Sequence, residues 1–308
     1  MEVQDNNSIL QVAQRGLSNA GVIAPVTEVP SGEVPVNSLS PYDIVKLARH
    51  PLRPLTSDYV TLMLDDFIEL HGDRLFGDDR STITGFARIE NRRFMLIGQQ
   101  KGKNTKERLL CNFGMSNPEG YRKALQKMKL AERLGLPVVT LIDTPGANPD
   151  IGAEERGQAY AIAENILQML RLTTPIVSIV IGEGGSGGAL GIGVCDKFSI
   201  MEYAYCSVIS PEGCAAILWK DAENAPEAAS ALKLTAKDLL EQGLVEEIIP
   251  EPKGGAHLNP PKSASTLKTF ILKYLEELST IPKDHLLSLR NSRYMKIGCY
   301  KEENFNGE

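Results

Sequence analysis

Residues 137–193 read PVVTLIDTPGANPDIGAEERGQAYAIAENILQMLRLTTPIVSIVIGEGGSGGALGIG. Two apolar, β-branched runs, 137–143 and 175–181, each break at small residues: the first at Thr144-Pro145-Gly146-Ala147, the second at 182–189, GEGGSGGA. Between them, residues 153–172 carry Ala161, Ile162, Ile166, Leu167 and Leu170 at helical spacing and open on Glu154 and Glu155, where acids favour a helix N-terminus. Strand, helix and strand of this length predict a parallel pair whose two turns leave the sheet at one edge. In open α/β sheets that edge is where ligands bind.

The chain around this unit has 308 residues, 42% hydrophobic and 23% charged, an ordinary composition for a soluble globular protein. No apolar stretch approaches the roughly 20 residues of a membrane span. A net charge of -6 argues against a general nucleic-acid coat, and five scattered cysteines without a Cys-x-x-Cys predict reduced thiols in a cytoplasmic protein, with no zinc site. The expected organisation is an irregular, flexible segment over 1–40, one α/β domain over 41–262, and a C-terminal helix at 264–278 with a polar tail after Ile281 that is partly helical and loosely held. Within the domain, helices are expected at 44–49, from Thr56 or Ser57 to about Leu70, and at 119–134, with strands at 86–89 and 94–99.

Several motifs overlap at the glycines. Gly182-x-Gly184-x-x-Gly187 fits a dinucleotide fingerprint, with Glu202 as a candidate ribose partner, although that fingerprint normally opens the first strand-helix unit of its domain. Gly184-x-Ser186-x-Gly188 fits the elbow of a serine hydrolase, which needs a downstream histidine, and only His257 and His285 remain. Asp143-Thr144-Pro145-Gly146 is similar to a GTPase loop, but the chain has no phosphate cradle of the Gly-x-x-x-x-Gly-Lys type. What the motifs share is a set of main-chain N–H groups at a helix start, backed by its dipole and open to close approach. Such donors form an oxyanion hole, and seven glycines in the twelve residues 182–193 exceed the need of packing alone. The basic run over 101–108, KGKNTKER, reads either as a solvated loop or as an anion clamp.

The blocks LIDTPGA (141–147), GAEERGQ (152–158), IGEGGSGGA (181–189), SVISPEGC (207–214) and GGAH (254–257) together resemble the α subunit of bacterial-type acetyl-coenzyme A carboxylase carboxyltransferase. LARHPxRP (47–54), HGDR (71–74), QKG (100–102) and NFGM (112–115) through GYRKAL (120–125) are similar to it too. The resemblance spans about residues 40–260. It implies an α/β crotonase-like (ClpP/crotonase) spiral of repeated ββα units, and transfer of a carboxyl group from carboxybiotin to acetyl-coenzyme A, giving malonyl-coenzyme A for fatty acid synthesis. It further implies a zinc-ribbon β subunit, a biotin carboxyl carrier protein and an ATP-binding biotin carboxylase as partners in the cytoplasm, an α2β2 assembly, and no covalently bound cofactor, nucleic acid or membrane.

By resemblance, the N–H groups of Gly187 and Gly188, with Ala189 as the alternative, hold the biotin oxygen. Gly146, Ala147, Gly184 and Gly185 shape the wall, and Lys101, Lys103, Arg122 and Lys123 are candidate anion contacts. A serine hydrolase using Ser186 and an inactive scaffold are the alternatives. Two departures from the family stand out. Ala147-Asn148-Pro149-Asp150 replaces the usual Ala-Tyr-Pro-Gly, and residues 1–40 lack the usual charged helix.

Overall fold

In the computed structural model, which describes residues 38–298, every side chain of Val138–Thr144 (β4) and of Ile176–Gly185 (β5) is buried. The two strands are parallel, with Val138 opposite Ile176 and Leu141 opposite Ile179. Continuous apolar runs suit strands covered on both faces, and these sit in the middle of an eight-stranded sheet. One side of the sheet is antiparallel: Asp66–Glu69 (β1), Thr82–Ile89 (β2) and Arg92–Gln99 (β3). From β3 onward all pairs are parallel, through β4, β5, Lys197–Met201 (β6) and Glu247–Ile249 (β8). Near its start β5 pairs with β6, and over 183–185 it pairs instead with the short strand Tyr205–Ser207 (β7). The sheet therefore opens at the end where the glycines lie.

Helix Pro118–Leu134 (α4) buries Tyr121, Ala124, Leu125, Met128 and Ala131 at helical spacing and stops at Gly135, whose φ of 66° lies in the left-handed region that glycine tolerates. The expected helix over 153–172 is two helices, Ile151–Glu155 (α5) and Gln158–Arg171 (α6). Gly157, at φ 82°, breaks them. Asn165 on α6 donates to the carbonyls of Tyr121 (3.0 Å) and Gly191 (2.8 Å), tying α4 to helix Ser186–Gly193 (α7).

Two further expectations are corrected. The helix expected to reach Leu70 ends at Met63 (Thr56–Met63, α2), and residues 66–69 become the edge strand β1 because β2 offers them a pairing partner. The tail after Ile281 is helical in part, as expected, over Lys283–Met295 (α12), but it is not loosely held: Arg290, at 1% exposure, anchors it. Its guanidinium pairs with Asp196 at 2.7 and 2.8 Å and donates to the carbonyls of Met169, Leu172 and Thr174. With every donor engaged, this buried pair costs little, and removing one member would cost about 3–5 kcal/mol. The helix before it, Pro260–Ser279 (α11), adds Leu267, Ile271, Tyr274, Leu275 and Leu278 to the main core. The basic run 101–108 is a loop that turns into a short helix, Thr105–Leu110 (α3), capped by Asn104. The expected flexibility of 1–40 concerns residues almost all outside those described.

Candidate active site

The two turns predicted from the sequence meet at one sheet edge. A Cβ on Gly185 would stand 2.2 Å from the Pro145 oxygen, one on Gly188 2.5 Å from the Gly146 carbonyl carbon, one on Gly182 2.4 Å from Asp143 Oδ1, and one on Gly184 2.9 Å from Cys206 Sγ. Close packing thus requires four of the glycines, more than the sequence reading allowed. Gly187 is different: its Cβ would meet only Ile162 Cδ1, at 3.7 Å. Gln99, at the end of β3, staples the turns together, accepting from the Asp143 N–H at 3.1 Å and donating to the Gly188 carbonyl at 2.8 Å.

Helix α7 starts directly from β5 with no side-chain cap at Gly185. Gly187 and Gly188 are its second and third residues, and N–H groups in the first turn of a helix have no acceptor four residues back within it. Ser186, exposed, holds φ at 46° to turn the chain from strand to helix.

Behind the turn is a buried ionic network. Lys101 Nζ lies 2.6 Å from Asp143 and 2.5 Å from Glu183, linking the ends of three adjacent strands. Glu183 also accepts from Arg49 Nε at 2.7 Å and from the Tyr205 hydroxyl at 2.6 Å, and Arg49 reaches on to Glu212 at 2.8 Å. Arg49 follows the last residue of helix Pro41–Ala48 (α1), and Glu212 lies in the first turn of Pro211–Leu218 (α8). Burial alone would raise the Glu183 carboxyl, but Lys101 and Arg49 outweigh it and hold the group well below the usual carboxylate range. Burial likewise works against the charge on Lys101, and Asp143 and Glu183 reverse the effect, raising its pKa.

The sequence-derived residues fall into two groups. Gly146, Ala147, Gly184, Gly185, Gly187, Gly188, Ala189 and Lys101 surround the paired turns. Lys103 pairs with Asp58. Arg122 pairs with Asp73 at 2.8 Å, and Lys123, 1% exposed, with Asp78 at 2.6 Å, so both are committed to the segment 73–79. The sequence reading passed over Gln99, Arg49, Tyr205 and Glu212. A polar Gln closing the apolar strand 94–98 was the one local signal.

The hydrolase alternative finds no support. Among the described residues Ser186 Oγ has no hydrogen-bond partner, and His257 is stacked on His50 with ring centroids 3.7 Å apart. Glu202 accepts the N–H of Glu251 at 3.1 Å instead of facing the glycines. Among the described residues no cluster of His, Cys, Asp or Glu could hold a metal, and Cys111, Cys195, Cys206 and Cys214 are free thiols.

Solved structures define the fold class. The chain superposes on transcarboxylase 12S with a TM-score of 0.62 at 17% identity, covering 97% of this chain and 53% of that one. It superposes on the β subunit of P. aeruginosa geranyl-CoA carboxylase with a TM-score of 0.56 at 16% identity, covering 96% and 53%. The fold is thus that of the crotonase-like carboxyltransferases, and this chain spans about half of each of those two. Sequence then narrows the class. The family model "Acetyl co-enzyme A carboxylase carboxyltransferase-like" matches residues 31–298. Proteins called acetyl-coenzyme A carboxylase carboxyl transferase subunit alpha are 58% identical in Hydrogenovibrio crunogenus (86% of this chain, 83% of that protein) and 53% identical in Rhodopirellula baltica (87% and 84%). The chain belongs to the acetyl-coenzyme A carboxylase carboxyltransferase family, among its α subunits.

Proposed function

We propose that this chain works as the α half of a biotin-dependent carboxyltransferase, moving a carboxyl group from carboxybiotin on a carrier protein to acetyl-coenzyme A. The observation that carries the reading is the pair of N–H groups at Gly187 and Gly188 in the first turn of a helix that has no side-chain cap and whose dipole favours negative charge. Carboxybiotin, when bound, supplies an activated carboxyl group and leaves negative charge on its ureido oxygen. The residues present fit that group: the missing side chain at Gly187 allows close approach, and two N–H donors stand in the first turn of the helix beside it. One such donor is worth roughly 3 kcal/mol of transition-state stabilisation.

The other residues act by position. Gly146 and Ala147 form the facing wall, held against Gly185 and Gly188 by contacts that leave no room for a Cβ. The Gln99 amide and the Lys101–Glu183–Arg49 network fix the two turns relative to each other, so that the donors need no reorganisation as charge develops. Ala189 is the alternative third donor. In this reading a zinc-ribbon β subunit supplies the hole for the thioester oxygen, two α and two β chains assemble, and a biotin carrier and a biotin carboxylase complete a cytoplasmic enzyme. No helix among the described residues is long and apolar enough to cross a membrane.

The test mixes the purified chain with a β subunit from the same genome and follows malonyl-coenzyme A plus a biotin derivative giving acetyl-coenzyme A. Activity confined to the mixture is expected. A stable complex with no turnover would reject the reading in favour of a scaffold.

A further inference from the structure

A second concentration of charge lies away from the paired turns. The later half of α4 and the segment around Leu70 and Arg74 enclose a groove of about 680 Å³, lined by Leu70 and Leu130 and by Arg74, Lys127, Lys129 and Arg133. That volume is in the range of small-molecule sites. Lys129 follows Tyr121, whose ring packs at Gly191 of α7, by eight residues, or about 12 Å along the helix axis, so the groove is separate from the glycine turn.

Among the described residues, no carboxylate lies within ion-pair distance of Arg74, Lys127, Lys129 or Arg133. The nearby acids are engaged elsewhere: Asp73 with Arg122, Asp78 with Lys123 and His71, and Glu132, the acid in the lining, with the N–H and hydroxyl of Thr173 at 2.7 and 2.9 Å. Lys127 is only 6% exposed and donates to two main-chain carbonyls, those of Gly72 at 3.0 Å and His71 at 3.4 Å. Burial, then the charges of Arg74 and Lys123, push its pKa down against a smaller upward pull from Asp78 and Asp73. A buried ammonium beside like charges, with no acid within ion-pair distance, is costly unless an anion joins it. The groove is also concave and part apolar, unlike a merely solvated basic face.

We propose that this groove binds a small anion carrying two phosphoryl groups, of nucleoside diphosphate chemistry, with the phosphoryl groups among Arg74, Lys127, Lys129 and Arg133 and the apolar part against Leu70 and Leu130. The proposal stands independently of the carboxyl-transfer reading. The shared chemistry has two sources, a nucleotide or free pyrophosphate, and the probes separate them.

The full-length chain is titrated calorimetrically with ADP, pyrophosphate, AMP and adenosine at constant ionic strength. One ADP is expected per chain, with AMP weaker and adenosine silent. ADP tighter than pyrophosphate identifies a nucleotide, and equal affinity identifies the phosphoryl groups alone; either keeps the site. The pair Lys129→Glu and Arg133→Glu should weaken binding by at least about tenfold, because two charge-assisted contacts are lost. Both positions are at least partly exposed, so the melting temperature of the free chain should hold. The same charge change at Lys262→Glu and Lys296→Glu is the control. Equal weakening by the control pair, no heat from any probe, or binding only of a poly-glutamate peptide would each overturn the proposal, the last by making the occupant an acidic protein segment.

Discussion

Gly188→Ala tests the site most sharply. The added Cβ would lie 2.5 Å from the Gly146 carbonyl carbon and 2.8 Å from the Ala147 nitrogen, where ordinary contact begins near 3.4 Å. Both neighbours are backbone, so the two turns must separate by about 0.9 Å (3.4 less 2.5). The stability cost of such overpacking is roughly 1–3 kcal/mol. The catalytic cost is larger, since a misplacement on the order of 1 Å loses about 100-fold, and losing one oxyanion donor outright loses about 100- to 1000-fold. Because the donor acts on charge that appears only in the transition state, kcat should fall with little change in KM. Gly187→Ala is the partner experiment. Its Cβ meets one side-chain carbon at 3.7 Å, so the melting temperature should stay put or rise slightly. The reverse assay with the β subunit, paired with thermal melts, reads both variants. A Gly188→Ala enzyme that folds and keeps kcat within about twofold would refute the assignment of this turn as the oxyanion site.

Three further outcomes follow from the network and its surroundings. Lys101→Met leaves Asp143 with no cation within ion-pair distance and should destabilise the chain by about 3–5 kcal/mol. Glu183→Gln should cost less, since Arg49 keeps Glu212 and Lys101 keeps Asp143; chemical denaturation that ranks the two variants the other way would contradict this account. Burial, with the charges of His50 and Arg53, lowers the His257 pKa to about 4. The unfolded chain therefore binds more protons between about pH 6.5 and 4, so stability falls as pH drops through that window. His257→Phe should flatten the decline, and an unchanged pH profile of melting would show that the ring does not contribute. Ser186→Gly should keep carboxyl transfer and relieve a left-handed φ worth roughly 1 kcal/mol, whereas loss of turnover would revive a role for the hydroxyl.

The parts of the fold legible in the sequence were those written locally. Residues 137–143 and 175–181 announce buried parallel strands by their apolar, β-branched runs, and the family blocks occur in order along most of the chain. What was missed depends on distant partners. Residues 66–69 look like a helix end until β2 pairs with them, and Arg290 looks like a surface residue of a polar tail until it meets Asp196, 94 positions away. The ionic network has the same character: Arg49 reaches Glu183 and Glu212 across 134 and 163 residues. Each charge taken alone reads as solvated surface, because nothing nearby in the sequence marks it for burial. The break at Gly157 was visible as a residue but not as a boundary, since apolar periodicity on either side continues through it.

The departure at Asn148 shows how a lost motif residue is absorbed. An aromatic side chain here would be expected to offer surface to a ligand, but Asn148 is 6% exposed and points its hydrogen bonds inward. Its side-chain amide donates to Asn117 at 2.7 Å, its side-chain oxygen accepts the Asp150 N–H at 3.0 Å, and its main chain bonds Ser116 and Gln158. The turn that carries Gly146 and Ala147 is thereby tied to the start of α4, while Pro149 and Asp150 stay exposed. Rigidity of the wall facing Gly188 thus comes from hydrogen bonds within this chain. If that is what the position does, Asn148→Tyr would lose the bonds to Asn117 and Asp150 and loosen the wall. Its cost would appear as a lower kcat and melting temperature together. An Asn148→Tyr enzyme that gains affinity for the biotin derivative at unchanged kcat would show instead that the aromatic surface, not the rigidity of the turn, is what the substitution removed.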